Sequence, residues 1–141
     1  MLSPEQSAFL KAHPVARLAT ADAGGALHVI PICYVIVGET LYFSIDEKPK
    51  SASPKPLKRI RNLLENPKAA VVVDRYDDDW TQLGWIMIRG TAEILKDCDE
   101  QTRAHEALRT RYPQYREMYL EPLPVVAIRI KRVVSWGNLA C

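Results

Sequence analysis

The sequence has no apolar run long enough to cross a bilayer. Its longest uninterrupted apolar stretch, residues 29–37, has nine residues and contains Pro31, whereas a membrane-spanning helix needs about 20. The N-terminal segment also lacks a basic region followed by a long apolar stretch and a small-residue cleavage site, which together mark a secretory signal. We therefore expect a cytoplasmic protein that does not enter a membrane.

Cysteine is scarce and scattered. The three cysteines stand at positions 33, 98 and 141, and no two of them have the Cys-x-x-Cys spacing of a zinc or redox site. An odd number at such spacings also argues against a disulfide framework. We expect reduced thiols and no metal site.

Common catalytic motifs are missing as well. Gly24 and Gly25 are the only adjacent glycines, so neither a dinucleotide-binding G-x-G-x-x-G fingerprint nor a P-loop is present. No serine stands in a G-x-S-x-G elbow, and His13, His28 and His105 are isolated from one another and from carboxylates along the chain. We name no catalytic residue, and we expect His28 to be partly exposed in a strand and His105 to lie on a helix surface.

The charge is nearly balanced. There are 19 Lys and Arg against 17 Asp and Glu, which gives a net charge of +2 and a pI near 8.4, too mild to imply nucleic-acid binding by itself. A hydrophobic content of 48% and a charged content of 26% are typical of one ordinary globular domain. We expect a single domain over residues 1–141.

The hydrophobic patterns that are present predict a mainly β structure. Strands are predicted at residues 15–20, 27–37, 40–45, 69–74, 80–95 and 125–134, and helices at 3–11, 57–64 and 97–112, with an irregular loop over 46–56. Ser3 and Gln6 predict a capping box for the first helix, Asp97 and Glu100 a cap for the last, and Gly84 and Gly90 bends in the long strand. Strands and helices do not alternate as a parallel sheet requires. The pattern therefore predicts a closed six-stranded antiparallel barrel with three to four short helices.

A basic stretch is the clearest chemical signal. Residues 48–61 contain no acid, and part of the stretch enters a predicted helix start, where unpaired N–H groups favour anions. A phosphate site is one interpretation and a solvated charged face is the other. Nucleic-acid binding is a weaker third, because no aromatic residues interleave with the cations. The six cations are Lys48, Lys50, Lys55, Lys58, Arg59 and Arg61.

Acidic and aromatic residues cluster in a second segment. Asp74 and residues 77–79 offer oxygen ligands, but they lack the glycine and terminal glutamate of a calcium loop, so a solvated turn is favoured. Trp80, Trp85 and Tyr76 either fill the core or stack on a planar ligand. On these residues alone we favour the core.

An ordered series of short segments carries a family resemblance. The series is Arg17-Leu18-Ala19-Thr20 before a glycine turn, Pro31, Leu41-Tyr42-Phe43-Ser44, the basic stretch, Arg61-Asn62-Leu63, Asn66-Pro67 and a valine-rich strand. It resembles the pyridoxamine 5′-phosphate oxidase-like FMN-binding split β-barrel superfamily, and specifically its deazaflavin-dependent branch. Residues 46–50 and 76–80 look like one subgroup of that branch. The resemblance covers about residues 8–95, and the order of the segments together is more specific than any one of them.

The resemblance implies a homodimer with active sites in grooves between two barrels. Family members bind FMN, coenzyme F420 or occasionally haem. We expect an oxidoreductase in which bound F420, an 8-hydroxy-5-deazaflavin, or alternatively FMN, passes a hydride to or from a small conjugated substrate. The alternative is a non-enzymatic protein that binds or carries the cofactor. Neither nucleic acid nor a membrane is an expected partner.

The same resemblance suggests the residues of the cofactor site. Lys48, Lys50 and Lys58 are the phosphate candidates, with Arg59 and Arg61 behind them. Ser44 and Ile45 would border that site, Pro31 and Cys33 would lie under the ring, and Trp80 would reach it from the partner subunit. An insertion at residues 51–56 leaves open whether the cations before or after it hold the phosphate. Lys55, Arg59 and Arg61 would line the exit for the anionic tail of F420.

Overall fold

The structure is a computed structural model that describes residues 1–45 and 58–141. The helices in this part of the chain are α1 (Pro4–Ala12), α2 (Lys58–Glu65) and α3 (Asp99–Arg111), with short 3₁₀ turns at Trp80–Gln82 and Pro113–Glu117. The strands are β1 (Val15–Ala21), β2 (Leu27–Cys33), β3 (Val35–Val37), β4 (Thr40–Ser44), β5 (Lys68–Arg75), β6 (Gly84–Leu95) and β7 (Val125–Gly137). The predicted loop at 46–56, with Lys48, Lys50 and Lys55, lies outside the described residues.

One antiparallel sheet forms the body of the molecule. Its strand order is β2-β1-β5-β6-β7-β4-β3, and the sheet curls into a half-barrel consistent with a split barrel. The predicted mainly β fold class is confirmed. The described part of the chain has seven strands rather than the six predicted, because residues 27–37 form two strands instead of one.

Tyr34 is the residue that divides this segment. Its backbone N–H donates to the hydroxyl of Tyr112 (2.9 Å), and its carbonyl accepts from that hydroxyl (2.6 Å) and from Arg111 (2.9 Å). Both backbone groups are therefore bonded by side chains from the end of α3 rather than by a neighbouring strand. Sequence periodicity has no signal for this, because the partners lie almost 80 positions away.

The core lies on the concave side of the sheet. Leu18 faces Val71 across β1 and β5, and Val71 faces Ile88 across β5 and β6. All three are buried, as are Phe9 and Leu10 of α1 beneath them. The residues between them along each strand point to the other face of the sheet, since side chains alternate along a strand.

Two predicted local features are confirmed. Ser3 caps α1 and forms a capping box with Gln6, with both hydrogen bonds at 3.0 Å. A β-bulge interrupts the pairing of β6 and β7 between Arg89 and Gly90. A Cβ added at Gly90 would lie 2.3 Å from the carbonyl oxygen of Arg129, so the strand packs too closely there for a side chain.

Three local predictions are wrong. Cys98, not Asp97, is the N-cap of α3, because Asp97 adopts a positive φ of 57° and its N–H donates to Gln101. His105 is only 3% exposed rather than on the helix surface. The strand predicted from Trp80 begins at Gly84, since Asp79 caps a 3₁₀ turn by accepting from the N–H of Thr81 (3.1 Å).

None of the helices in residues 1–45 and 58–141 combines the length and apolarity needed to span a membrane.

Candidate functional site

A cavity of about 220 Å³ opens where β2 and β4 end. Its lining contains four of the residues predicted for the cofactor site, Pro31, Cys33, Ser44 and Arg59. Val15, Ile32 and Tyr115 complete it. Among these four predicted residues, Pro31 and Arg59 are the farthest apart in the sequence, at 28 positions. The structure thus brings predicted residues from two strands and one helix into one cavity.

The strands and helix around the cavity explain this convergence. Cys33 is the last residue of β2 and Ser44 the last residue of β4, and both line the cavity. Arg59 is the second residue of α2 and lines the cavity as well. We call this space, where the ends of β2 and β4 meet the start of α2, the cavity at the split.

The lining combines apolar surface with one cation. Val15 and Ile32 supply hydrocarbon walls, and the Arg59 guanidinium is the charged group of the cavity. Arginine is the side chain best suited to hold a phosphate, because its planar fork donates to two oxygens at once. An apolar ring carrying a phosphate matches this donor set.

Ser44 and Ile45 differ in their relation to the cavity. Ser44 lines it, although its hydroxyl donates to the Ile45 carbonyl (3.2 Å). Ile45 is buried in the main core and does not line the cavity. The structure thus supports Ser44 as a bordering residue and assigns Ile45 to core packing.

Lys58 and Arg61 lie outside the cavity. The Lys58 amine is 3.8 Å from a carboxylate oxygen of Asp22, in the turn between β1 and β2. The pKa of that carboxyl is lowered, mainly by the N–H of Ala26 and further by Lys58. Arg61 is exposed and does not contribute to the lining. Of the predicted cations in the described residues, Arg59 is the one in the cavity.

Trp80 also lies outside the cavity of its own chain. It is 70% exposed, so the core interpretation favoured from composition is wrong for this residue. Arg75 fixes the loop that carries it, donating to the carbonyls of Gln82 (2.9 Å) and Asn138 (2.6 Å). Trp80 is thus an exposed aromatic side chain on a well-anchored turn.

The convex face of the sheet carries a short row of apolar residues. Val29 pairs with Ala19 and Ala19 with Ala70, so the three lie in one row across β2, β1 and β5. Val29 is 63% exposed, and Leu27 of the same strand is exposed on the same side. The row ends at β6, where Arg89 pairs with Ala70.

The cavity is too small to enclose a flavin-sized ligand. Ligand pockets usually measure about 300–1,000 Å³, whereas this one measures about 220 Å³. Its residues fit the ring and phosphate of such a cofactor but supply only part of a site.

Sequence reasoning missed three lining residues, Val15, Ile32 and Tyr115. Val15 begins β1, where the alternation of exposed and buried residues marks it as outward-facing. Tyr115 comes from the 3₁₀ turn after Pro113, far along the chain. Only the tertiary fold brings that turn to the end of β2, so local patterns carry no signal for it.

A mainly β fold whose antiparallel sheet curls as in a split barrel defines the general class of this protein. The particular family follows from a sequence comparison. Residues 2–137 match the model of the pyridoxamine 5′-phosphate oxidase family, and the chain belongs to that family.

Relatives within and around this family differ in function. The chain is 29% identical over 130 residues to a 5a,11a-dehydrotetracycline/5a,11a-dehydrooxytetracycline reductase of Streptomyces rimosus, covering 92% of this chain and 78% of the reductase. A conserved hypothetical protein of Mycobacterium tuberculosis shares the fold at TM-score 0.77 and 19% identity, with 97% and 85% of the chains covered. The haem storage protein HutZ of Vibrio cholerae shares it at TM-score 0.72 and 16% identity, with 96% and 94% covered.

Proposed function

We propose that this protein is an oxidoreductase that uses bound F420, or alternatively FMN, to transfer a hydride to or from a small conjugated substrate. The cavity that joins apolar walls to Arg59 carries this proposal. Membership of the pyridoxamine 5′-phosphate oxidase family and the similarity to a reductase support it. The working form is a cytoplasmic homodimer.

In this proposal the cofactor supplies the redox chemistry, and the protein binds and orients it. Arg59 neutralises the phosphate at the N-terminal end of α2. Pro31 and Cys33 form the wall beneath the ring and keep water from that face. The histidines of the described chain do not line the cavity, so no side-chain acid–base pair is assigned a role.

Two features support the homodimer in this proposal, the convex sheet face and the incomplete cavity. The row formed by Val29, Ala19 and Ala70 gives a second copy an apolar surface to cover. Val15 lines the cavity and begins β1, the strand that contributes Ala19 to this row. The partner's Trp80 turn would then cover the ring, as its 70% exposure in one chain permits.

Cofactor binding is tested by titrating the purified protein with F420 and with FMN and following ring fluorescence. We expect saturable binding, with Arg59→Glu weakening it at least about 10-fold, because a charge-assisted hydrogen bond is worth about 1.5–3 kcal/mol. In the FMN titration, where no anionic tail is present, Arg61→Glu, two positions away and outside the cavity, is the matched control and should change binding much less. Equal effects of the two reversals would mean that Arg59 does not hold the phosphate.

The same titration distinguishes F420 from FMN. The oligoglutamate tail of F420 is anionic, so its advantage over FMN should shrink as salt screens that charge. Reduced F420 should also persist in air until an electron acceptor is added. Tight, salt-insensitive FMN binding with rapid air oxidation would favour a flavin enzyme instead.

The alternative is a protein that binds the cofactor without turnover. The fold similarity to a haem storage protein supports this second candidate, since the same barrel serves storage there. Substrate-dependent oxidation of the reduced cofactor separates the two. Stoichiometric oxidation that stops after one equivalent would support a carrier.

A further inference from the structure

A second and larger cavity, of about 740 Å³, lies between α1, β3 and α3. We call it the α1–α3 groove. It shares no lining residue with the cavity at the split, and its volume lies within the usual range for small-molecule sites. The proposed redox function makes no use of it.

The walls of the groove are mainly apolar. Leu10 of α1 forms one side, Val35 and Ile36 of β3 form the floor, and Ala107 of α3 faces them. Leu10 is buried, whereas the other three are half-buried. Hydrocarbon placed against this surface would remove it from water, which favours binding.

A positive charge stands at one end of the groove. Arg111 at the end of α3 donates to the carbonyls of Leu10 (2.6 Å), Lys11 (3.2 Å) and Tyr34 (2.9 Å). Its guanidinium also stacks on the Tyr34 ring, with 4.6 Å to the centroid. These contacts hold the cation in one orientation and engage only part of its five N–H donors.

No carboxylate in the described residues forms an ion pair with Arg111 or with the neighbouring Lys11. The single acid of the lining, Glu39, lies 3.6 Å from the N-terminal ammonium of Met1. The groove therefore has a net positive charge beside an apolar floor. That combination suits a ligand with a hydrocarbon body and one anionic end.

We propose that the α1–α3 groove binds an amphipathic carboxylate, of the class of medium-chain fatty acids. The hydrocarbon chain lies along Val35, Ile36 and Ala107, and the carboxylate lies at Lys11 and Arg111. Binding is independent of the cofactor cavity, because the two cavities have no residue in common.

Dodecanoate is the probe, with binding followed by isothermal titration calorimetry below its micellar concentration. We expect one saturable site per chain in the wild-type protein. Ala107→Trp fills the groove and should weaken binding at least about 10-fold. Glu106→Trp, on the same helix but outside the groove lining, should bind as the wild type does, and equal binding by both variants would overturn the proposal.

The charge requirement is tested separately. Lys11→Glu should weaken dodecanoate binding about 10-fold or more, whereas Lys96→Glu, an exposed site elsewhere, should not. Both sites are exposed, so these variants should fold even if Ala107→Trp does not. Dodecanol, which has the same chain without the charge, should bind at least about 10-fold more weakly, and equal affinity would show non-specific apolar adsorption.

The last test is whether the cofactor competes with dodecanoate for binding. Saturating FMN or F420 should leave the dodecanoate affinity unchanged. Displacement by the cofactor would assign the probe to the cavity at the split and overturn the inference. Failure of cofactor binding alone would contradict the proposed redox function and leave the groove result intact.

Discussion

The Nδ2 of Asn62 donates to the hydroxyl of Thr20 over 3.1 Å, and both side chains are almost completely buried, at 0% and 3% exposed. The bond joins the middle of α2 to β1. Since α2 also carries Arg59, the bond helps to fix the helix that supplies the cation of the cavity at the split. Asn62 would thus position the residue that we propose holds the phosphate, without touching the ligand itself.

Thr20→Val should destabilise the protein and weaken cofactor binding. The substitution leaves a buried amide of Asn62 without its acceptor, which costs about 1–3 kcal/mol. Urea unfolding measures the stability and the fluorescence titration measures the affinity. Thr20→Ser, which keeps the hydroxyl, is the control and should restore most of the cofactor affinity; an unchanged affinity in Thr20→Val would show that the bond does not position Arg59.

Glu100 should contribute to stability in a pH-dependent way. Hydrogen bonds from Arg129 (3.0 Å) and Tyr42 (2.6 Å) lower the pKa of this carboxyl to about 2, from a usual 4.5. A lowered folded-state pKa stabilises the fold above the unfolded pKa, so this contribution is complete above about pH 4.5 and is lost as the pH falls towards 2.

Glu100→Gln should therefore flatten the decline of stability across that acid window. Denaturant unfolding at a series of pH values measures it. Glu106→Gln, an exposed site of the same helix, should keep the wild-type slope. A Glu100→Gln slope identical to the wild type would mean that Arg129 does not stabilise the ionised carboxyl.

Gly90→Ala should be strongly destabilising. The added Cβ would lie 2.3 Å from the Arg129 carbonyl oxygen and 2.7 Å from a methyl group of Ile128, so the bulge must move at a cost of about 1–3 kcal/mol. At Gly24 the nearest atom would be 3.5 Å away. Chemical unfolding should therefore show a large loss of unfolding free energy in Gly90→Ala and almost none in Gly24→Ala.

Val29→Lys should dissociate the proposed homodimer. It places a charge at the β2 end of the apolar row on the convex sheet face, which we expect to bury more than about 2,000 Å² in an obligate dimer. Sedimentation should show twice 16.0 kDa for the wild type and 16.0 kDa for the variant. Val37→Lys, at the end of β3 on the other sheet edge, should remain dimeric, and a monomeric wild type at micromolar concentration would contradict the proposal.

The sequence predicts most of the local structure of this fold. The capping residues around Ser3, the alternation in β1 and the bulge at Gly90 are short-range signals, and the structure confirms each of them. The interruption at Tyr34 and the burial of His105 depend on contacts between distant parts of the chain. No local pattern contains that information.

The residues of the candidate site were predictable only in part, again because contacts between distant parts of the chain leave no local pattern. The resemblance named Pro31, Cys33, Ser44 and Arg59, which the structure brings to one cavity. It could not separate Arg59 from Lys58, because adjacent helix positions differ in direction by about 100° and only the fold shows which one lines the cavity. Lys48 and Lys50 stay predictions, since they lie outside the described residues.

The interruption at Tyr34 also shortens the open edge that this segment can offer to another chain. β2 and β3 are the two edge strands, and a single residue joins them. An edge strand with unpaired N–H and carbonyl groups is a template for pairing with another chain. The backbone groups of Tyr34 are already bonded by Tyr112 and Arg111, so an incoming strand cannot pair without a break along residues 27–37.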